Sequence, residues 1–409
     1  MYVNVKVTED PTVRKYVQRT GLLSSLVRTG RRLKLQYAAH RSALDSSLKS
    51  TYFSDATAIY KDTCRQIPDS DIVQLHWVAE FIDYAEFFAW LPPRLPLVWT
   101  LHDMANFTGG CCFDLGCGKF VHQCGACPQL PSKRNRDLSR KVWQRKGKYY
   151  RSLDKNRVHI VTPSRWLENE VQRSPLLSRF RTSIIPYGLD TDVFQPRDRD
   201  MARELLGIPQ DARVLLFAAA GLNEYRKGFQ YLLEALAGID DRSKMVLVSV
   251  GDGHLKGLEQ FRYIRCQTIQ NDRFLSFIYS AADIFVAPSL ADNLPNTVLE
   301  SIACGTPVIA FSVGGIPEMV RPGITGYLTN PADSAGLRSA IVGLLRNENK
   351  RLEMSEHCRR VALADYDLQI QARRYLKIYD EMLNRNPSNP PGDPKTSEEL
   401  VTAENDRRV

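Results

Sequence analysis

The sequence contains no run of about 18 apolar residues, so no stretch of it reads as a membrane-spanning helix. Its opening, "MYVNVKVTED", lacks the basic-then-apolar build of a secretory signal. Both absences point to the cytosol, where the 9 cysteines are expected to stay reduced. No internal repeats are seen, which leaves no basis for a repeat architecture. No glycine occurs before Gly21, so the first strand-like segment has no loop that lets backbone approach a phosphate. Acid is the scarcer charge: 55 Lys and Arg face 46 Asp and Glu, leaving +9. That excess suits an anionic partner, whether nucleotide, nucleic acid or anionic membrane face.

What is present is alternation. A chain of 409 residues, 43% apolar and 25% charged, is comfortable for two cores. "DIVQLHW", "LPLVWTLHD" and "RVHIVTPS" read as buried strands of a first half. "RVLLFAAAG", "KMVLVSVGDG", "ADIFVAPS" and "TPVIAF" do the same for a second. Helical patterns such as "GFQYLLEALAG" and "NTVLESIACG" lie between them. Strand and helix in turn imply α/β architecture, with parallel sheets covered on both faces. The expectation is two Rossmann-like doubly wound domains facing each other across a cleft. Their seam is "IIPYGLDTDVFQPRDRD", residues 184–200. The first domain covers 1–188, with a cysteine loop at 109–130, and the second covers 189–365. An amphipathic helix within 366–383 closes the fold. The tail, 384–409, is Pro-rich, charged and poor in apolar residues, so it is expected to be disordered.

Open parallel sheets bind ligands at the carboxyl ends of their strands, which puts "SLADNLPN" in the cleft. Pro295 fits a helix's first turn and Gly305 the position just past its end. The N–H groups of Asn296 and Thr297 would then favour an anion. Glu300 lies about one turn further in, where a carboxylate suits hydroxyls better than phosphate. A vicinal diol on a ribose or a sugar offers two donors at matching spacing. Asp292 can do the same for a second ring. In "GLNEYRKGF", Arg226 and Lys227 stand where another helix begins. Two diols flanking a phosphate bridge describe a nucleotide sugar. Read alone, Asp292 serves equally as a helix cap and Glu300 as a solvated helix residue.

"PSLADNLPNTVLESIACGTPVIAFSVGGIPEMV", "RKGF", "IPYGLDTDVF" and "TLHDMANFTGGC" together resemble the retaining glycosyltransferases of family 4, whose motifs follow the same order along the chain. The similarity is greatest to the branch of bacterial surface-polysaccharide clusters and spans roughly residues 73–383. The resemblance implies a GT-B fold and an NDP-sugar donor held mainly by the second domain. It also implies a glycan or lipid-linked acceptor and no cofactor for catalysis. Its carboxylate pair is Glu, seven residues, Glu. Asp292 matches the first, which reaches the donor sugar, and Glu300 the second, which reaches the ribose. Asp292 is one methylene shorter, which puts sugar selectivity in question. Asn293, Leu294, Pro295, Asn296 and Thr297 between them count as donor-binding. Many relatives carry Arg directly after the glycine, where this chain has Leu222; Arg226 is the candidate substitute and Lys227 the diphosphate ligand. His102, at the end of "LVWTLHD", matches a histidine near the transferred sugar and is assigned a catalytic role with Asp292. His76 in "QLHWV" is similarly placed but lacks that support. A truncated or inactive GT-B relative acting as a binding subunit, or a sugar-nucleotide epimerase, is the alternative. A phosphorylase is disfavoured because no pyridoxal-type lysine motif is evident. Nucleic-acid binding explains the charge and none of the motifs.

"GGCCFDLGCGKFVHQCGACPQL" is the other dense signal. Its Cys111, Cys117, Cys124 and Cys127 are spaced C-x5-C-x6-C-x2-C and suit a structural zinc. An iron–sulfur cluster, packed thiols and a disulfide are the other readings. The polysaccharide branch shows the same four, often with histidine where this chain has Cys112. Two basic stretches, "RTGLLSSLVRTGRRLKLQYAAHR" and "SKRNRDLSRKVWQRKGKYYR", read either as solvated helix faces or as docking sites for an anionic membrane at the inner face of the plasma membrane. Relatives open with a strand, a Gly-rich loop and a helix before a stretch like "MYVNVKV". The expectation is therefore a start placed too late, a truncation, or "YVNVKV" taking the central strand's place.

Overall fold

The computed structural model describes residues 2–3, 14–15, 70–78, 82–130 and 134–384. Tyr2–Val3 (β1) and Arg14–Lys15 (β2) pair in parallel, in a two-stranded sheet of their own. Tyr2 and Val3 of "YVNVKV" thus pair outside the first domain's four-stranded sheet. Residues 4–13, the first basic stretch and the tail from 385 lie outside the described residues.

Among the described residues, four parallel strands build the first domain's sheet, in the order β3 (Val73–Leu75), β4 (Leu97–Thr100), β5 (Val158–Thr162), β6 (Arg181–Ile184). β4 and β5 are buried along their whole length, which is why they read as unbroken apolar runs. Alternate residues serve opposite faces. Leu97, Trp99 and Ile160 pack with Phe87 and Phe88 of the helix Tyr84–Trp90 and with Leu167 and Val171 of the helix Arg165–Arg173. Val98 and Val161 face the other way, onto Ile378 and Met382 of the last helix, Leu368–Asn384.

The second sheet holds β7 (Arg213–Gly221), β8 (Met245–Asp252), β9 (Arg262–Cys266), β10 (Ile284–Ala287), β11 (Val308–Phe311) and β12 (Gly326–Thr329), all parallel. Its lateral order is β12-β11-β10-β7-β8-β9. Counted from β7, that is the doubly wound 3-2-1-4-5-6 arrangement, in which ligands bind where the order reverses. The reversal falls between β7 and β10, and the loops leaving those two strands carry Arg226, Lys227 and Asp292. Apolar clusters cover both faces, one containing Val214, Leu216 and Phe285, the other Leu215, Phe217 and Ile284.

Two links cross between the domains. Residues 185–198 lead into the second, and the last helix returns to the first. There the Tyr375 hydroxyl lies 2.9 Å from Thr100 Oγ1, and the Tyr379 hydroxyl donates to Gln74. The links touch at Gly188, where a Cβ would stand 2.7 Å from the Cα of Leu368. One expectation needs correcting: Pro295 is the N-cap of the helix Asn296–Ala303, one place before its first turn. Its φ of −66° is ordinary for proline, while its ψ of 125° is extended, so the helix begins only at Asn296. Gly305 sits just past the C-cap Cys304 with φ +75°, as the sequence predicts.

Candidate active site

At the switch point the charges interlock. The Asp292 side chain is buried, and its Oδ2 accepts from Lys227 Nζ at 2.7 Å, Arg226 Nη1 at 3.2 Å and Ser289 Oγ at 3.3 Å. Its Oδ1 accepts the N–H of Asn293 at 3.2 Å. Burial pushes this carboxyl up, but Lys227 and Arg226 outweigh it and hold the group below the ordinary carboxylate value. Asp292 is therefore ionised at neutral pH.

Arg226 is more committed than Lys227. It also donates to the carbonyl of Ala291 at 3.0 Å and to Glu224 Oε2 at 3.0 Å. Its guanidinium lies 5.2 Å from the centre of the Phe113 ring, which stacks on Trp166. Phe113 belongs to the cysteine loop of the first domain, so an aromatic from one domain supports a cation of the other. Both cations sit in the 3₁₀ turn Tyr225–Lys227, closed by Gly228 at φ +69°. A Cβ on Gly228 would stand 1.8 Å from the carbonyl oxygen of Pro288, so only glycine lets the turn lie against the end of β10. Leu222, by contrast, is fully buried in the apolar core at the base of the neighbouring groove and supplies no charge there.

Glu300 occupies the second turn of its helix, and its Oε2 accepts from the Tyr279 hydroxyl at 2.7 Å. Burial raises its carboxyl to about 6; the Tyr279 bond opposes this and the Asp272 charge adds to it. The residues between the two acids divide in role. Leu294 is buried in the core, so only its backbone can face a ligand. Asn293 is spent between domains: Nδ2 donates to the carbonyl of His102 at 2.9 Å and Oδ1 accepts from Ser164. The first N–H groups of the helix, those of Asn296 and Thr297, have no intrahelical acceptor by construction. Beside the 225–227 turn, at the carboxyl ends of β7 and β8, lies an open groove of about 600 Å³ bordered by Asn223, Glu224, His254 and Lys256.

Across the cleft, His102 does not stand alone. Its Nε2 lies 3.1 Å from His76 Nδ1 and its Nδ1 2.7 Å from the Tyr187 hydroxyl, with the rings stacked in series. Burial, with some help from His76, lowers His102 to about 4, so the imidazole is neutral at physiological pH. Sequence reasoning left His76 aside and missed Tyr187, Phe113 and Tyr279. Tyr187 lies inside the quoted "IPYGLDTDVF" and was legible as a motif residue only. Glu318 was missed as well: its carboxylate accepts the N–H groups of Arg165 and Trp166, both at 2.9 Å, capping a helix of the opposite domain.

The cysteine loop packs next to this ensemble. Cys111, Cys117, Cys124 and Cys127 all border one cavity of about 20 Å³. Every cysteine among the described residues is a free thiol. No three His, Cys, Asp or Glu side chains among the described residues are grouped as a metal site. In the second basic stretch, Lys141, Lys148 and Arg151 are exposed on the helix Leu138–Arg151, whereas Lys146 is buried. No helix among the described residues is long and apolar enough to cross a membrane.

Residues 212–347, the six-stranded domain, match the family model described as glycosyl transferases group 1. A D-inositol 3-phosphate glycosyltransferase from Geodermatophilus obscurus is 37% identical over 183 residues, 40% of this chain and 40% of that one. The chain spans about half the length, or less, of the curated relatives it matches. Among solved structures, sucrose-phosphate synthase from Thermosynechococcus elongatus aligns with a TM-score of 0.63 at 20% identity, covering 92% of this chain and 85% of that one. Anabaena Alr3699/HepE, solved with UDP and glucose, aligns at 0.54 and 16% identity, covering 90% and 85%. Residues 212–347 thus resemble glycosyl transferases group 1, and the chain has the GT-B fold of these structures.

Proposed function

We propose that the protein is a retaining glycosyltransferase that moves a sugar from an NDP-sugar to a glycan or lipid-linked acceptor in polysaccharide synthesis. The observation that carries this reading is the Asp292–Lys227–Arg226 cluster at the β7/β10 switch point, beside an open groove. Lys227 and the N–H groups of Asn296 and Thr297 take the diphosphate, Glu300 takes the ribose diol, and Asp292 Oδ1 takes a sugar hydroxyl. Arg226, already held by Glu224 and Phe113, orients Asp292 and adds positive charge. As the sugar–phosphate bond breaks, these groups stabilise charge growing on the leaving diphosphate. That diphosphate accepts the proton of the acceptor hydroxyl, and bond formation on the same face retains the anomeric configuration. Neutral His102, bridged to His76 and Tyr187, lines the acceptor side and positions the transferred sugar. No metal enters the chemistry.

A UDP-bound neighbour of the same fold makes UDP-sugars the first donors to test, and the relatives' names add inositol phosphate to the acceptors. The exposed Lys141, Lys148 and Arg151 support an anionic membrane surface as a docking partner. Flotation with anionic liposomes at low salt checks this, and failure to co-migrate returns that helix to a solvated face. The reaction itself is tested by NMR of the product made in chelator: the anomeric configuration of the donor should survive, and inversion would sink the mechanism.

A further inference from the structure

The loop from Gly109 to Leu130 contains almost no regular structure beyond the 3₁₀ turn Lys119–Val121, yet its backbone is tightly specified. Leu115 and Ala126 adopt positive φ, 51° and 43°, which side chains other than glycine rarely take. Ala126 lies inside the Cys-Gly-Ala-Cys turn. There Lys119 Nζ donates to the carbonyls of Gly125 (3.2 Å) and Ala126 (2.7 Å), satisfying them on one side. On the other side, an N–H group turns toward sulfur. Gly109 donates to Cys124 Sγ at 3.1 Å, while the Leu130 N–H donates to the Cys127 carbonyl at 3.1 Å. Burial pushes the Cys111, Cys124 and Cys127 thiols up, and the Gly109 bond opposes this only in part at Cys124.

We propose that Cys111, Cys117, Cys124 and Cys127 bind one zinc ion as a tetrathiolate, and that the ion holds the loop which carries Phe113 to Arg226. All four line a single cavity of about 20 Å³, room for one water-sized body and too small for an iron–sulfur cluster. Because no three donors are yet grouped around an ion, the sulfurs close inward on binding, to about 2.3 Å from the metal. Each thiol gives up its proton to solvent as its bond to zinc forms. Four thiolates and one dication leave two negative charges. The Lys119 ammonium, and the buried Lys146 ammonium held by the carbonyls of Ala105 and Thr108, offset them. Phe113 lies between Cys112 and Asp114, two residues past the first ligand, so fixing Cys111 and Cys117 fixes the platform under Arg226.

Metal analysis of the full chain purified without chelator should return about one zinc per chain. Cobalt substitution should give the thiolate-to-metal charge-transfer and ligand-field bands of a tetrahedral tetrathiolate. Cys117→Ser should lose the metal, whereas Cys266→Ser should keep it. If Cys117→Ser fails to fold, the cobalt spectrum of the unaltered chain decides alone. A folded, metal-free protein with four titratable thiols, a disulfide among them, or iron with inorganic sulfide would each overturn the site. The link to Arg226 rests on the proposed transferase reading and is read separately. Phe113→Ala should keep its zinc and raise the donor KM about three- to thirty-fold, the range of one cation–π contact. An unchanged KM refutes the link while leaving the metal result intact.

Discussion

Glu300 supports a prediction whose sign is fixed by its surroundings. Burial holds its carboxyl at about 6, against an ordinary 4.5, despite the bond from Tyr279. Two ribose hydroxyls donating to the ionised form would return it toward the ordinary value. That difference is worth about 2 kcal/mol, or about thirty-fold in affinity. Ligand selects the deprotonated form, so donor affinity should rise with pH between 4.5 and about 6 and be flat above. The free protein shows the opposite trend. A carboxyl raised by folding contributes stability below its unfolded value, and this is lost as pH rises through the folded value. Glu300→Gln should therefore bind donor at least about tenfold more weakly at neutral pH, yet unfold at a higher temperature there, with the gain vanishing near pH 4.5. The assay is calorimetry with a nucleotide sugar, whose diphosphate diester does not titrate in this range, in two buffers of different ionisation enthalpy. Proton release at about pH 5.5 should appear in the unaltered chain and be absent from the variant. Affinity that is level across this range, with Glu300→Gln binding normally, would refute the ribose role.

Lys227→Ala should cost about two orders of magnitude in turnover, the size of losing one preorganised donor at a developing oxyanion. His102→Ala should depress transfer while sparing nucleotide binding. Because His102 is held near 4, the pH–rate profile should carry no limb at the ordinary histidine value from this residue. Gly228→Ala, whose Cβ meets the Pro288 carbonyl at 1.8 Å, should lower the melting temperature and weaken donor binding together. Normal values for both would mean the turn can move without loss.

What was legible in the sequence divides by burial. β4, β5, β7, β8, β10 and β11 are interior strands, and their unbroken apolar runs betray them. β6, β9 and β12 went unread: each is the edge of a sheet, partly exposed, and "RTSI" or "RYIRC" shows neither an apolar run nor clean alternation. The site follows a similar division. Asp292, Glu300, Arg226, Lys227 and His102 were readable because motif spacing names them. Asn293 as a bridge between domains was not readable, since its partners His102 and Ser164 lie 191 and 129 positions away. The same holds for Phe113 beneath Arg226, and for Tyr187 and His76 about His102. A polar side chain's partner is set by how two separately folded sheets face each other, which local pattern does not encode.

The central claim is sugar transfer from a nucleotide donor, and nucleotide release tests it most directly. The purified chain and its Lys227→Ala variant would be incubated side by side with UDP-, GDP- and ADP-sugars, with and without glycan, lipid-linked and inositol phosphate acceptors. The account predicts release from at least one donor, stimulated by acceptor and about a hundredfold slower in the variant. Nucleotide sugars that bind the unaltered chain yet release nothing under any pairing would contradict it and leave a binding protein.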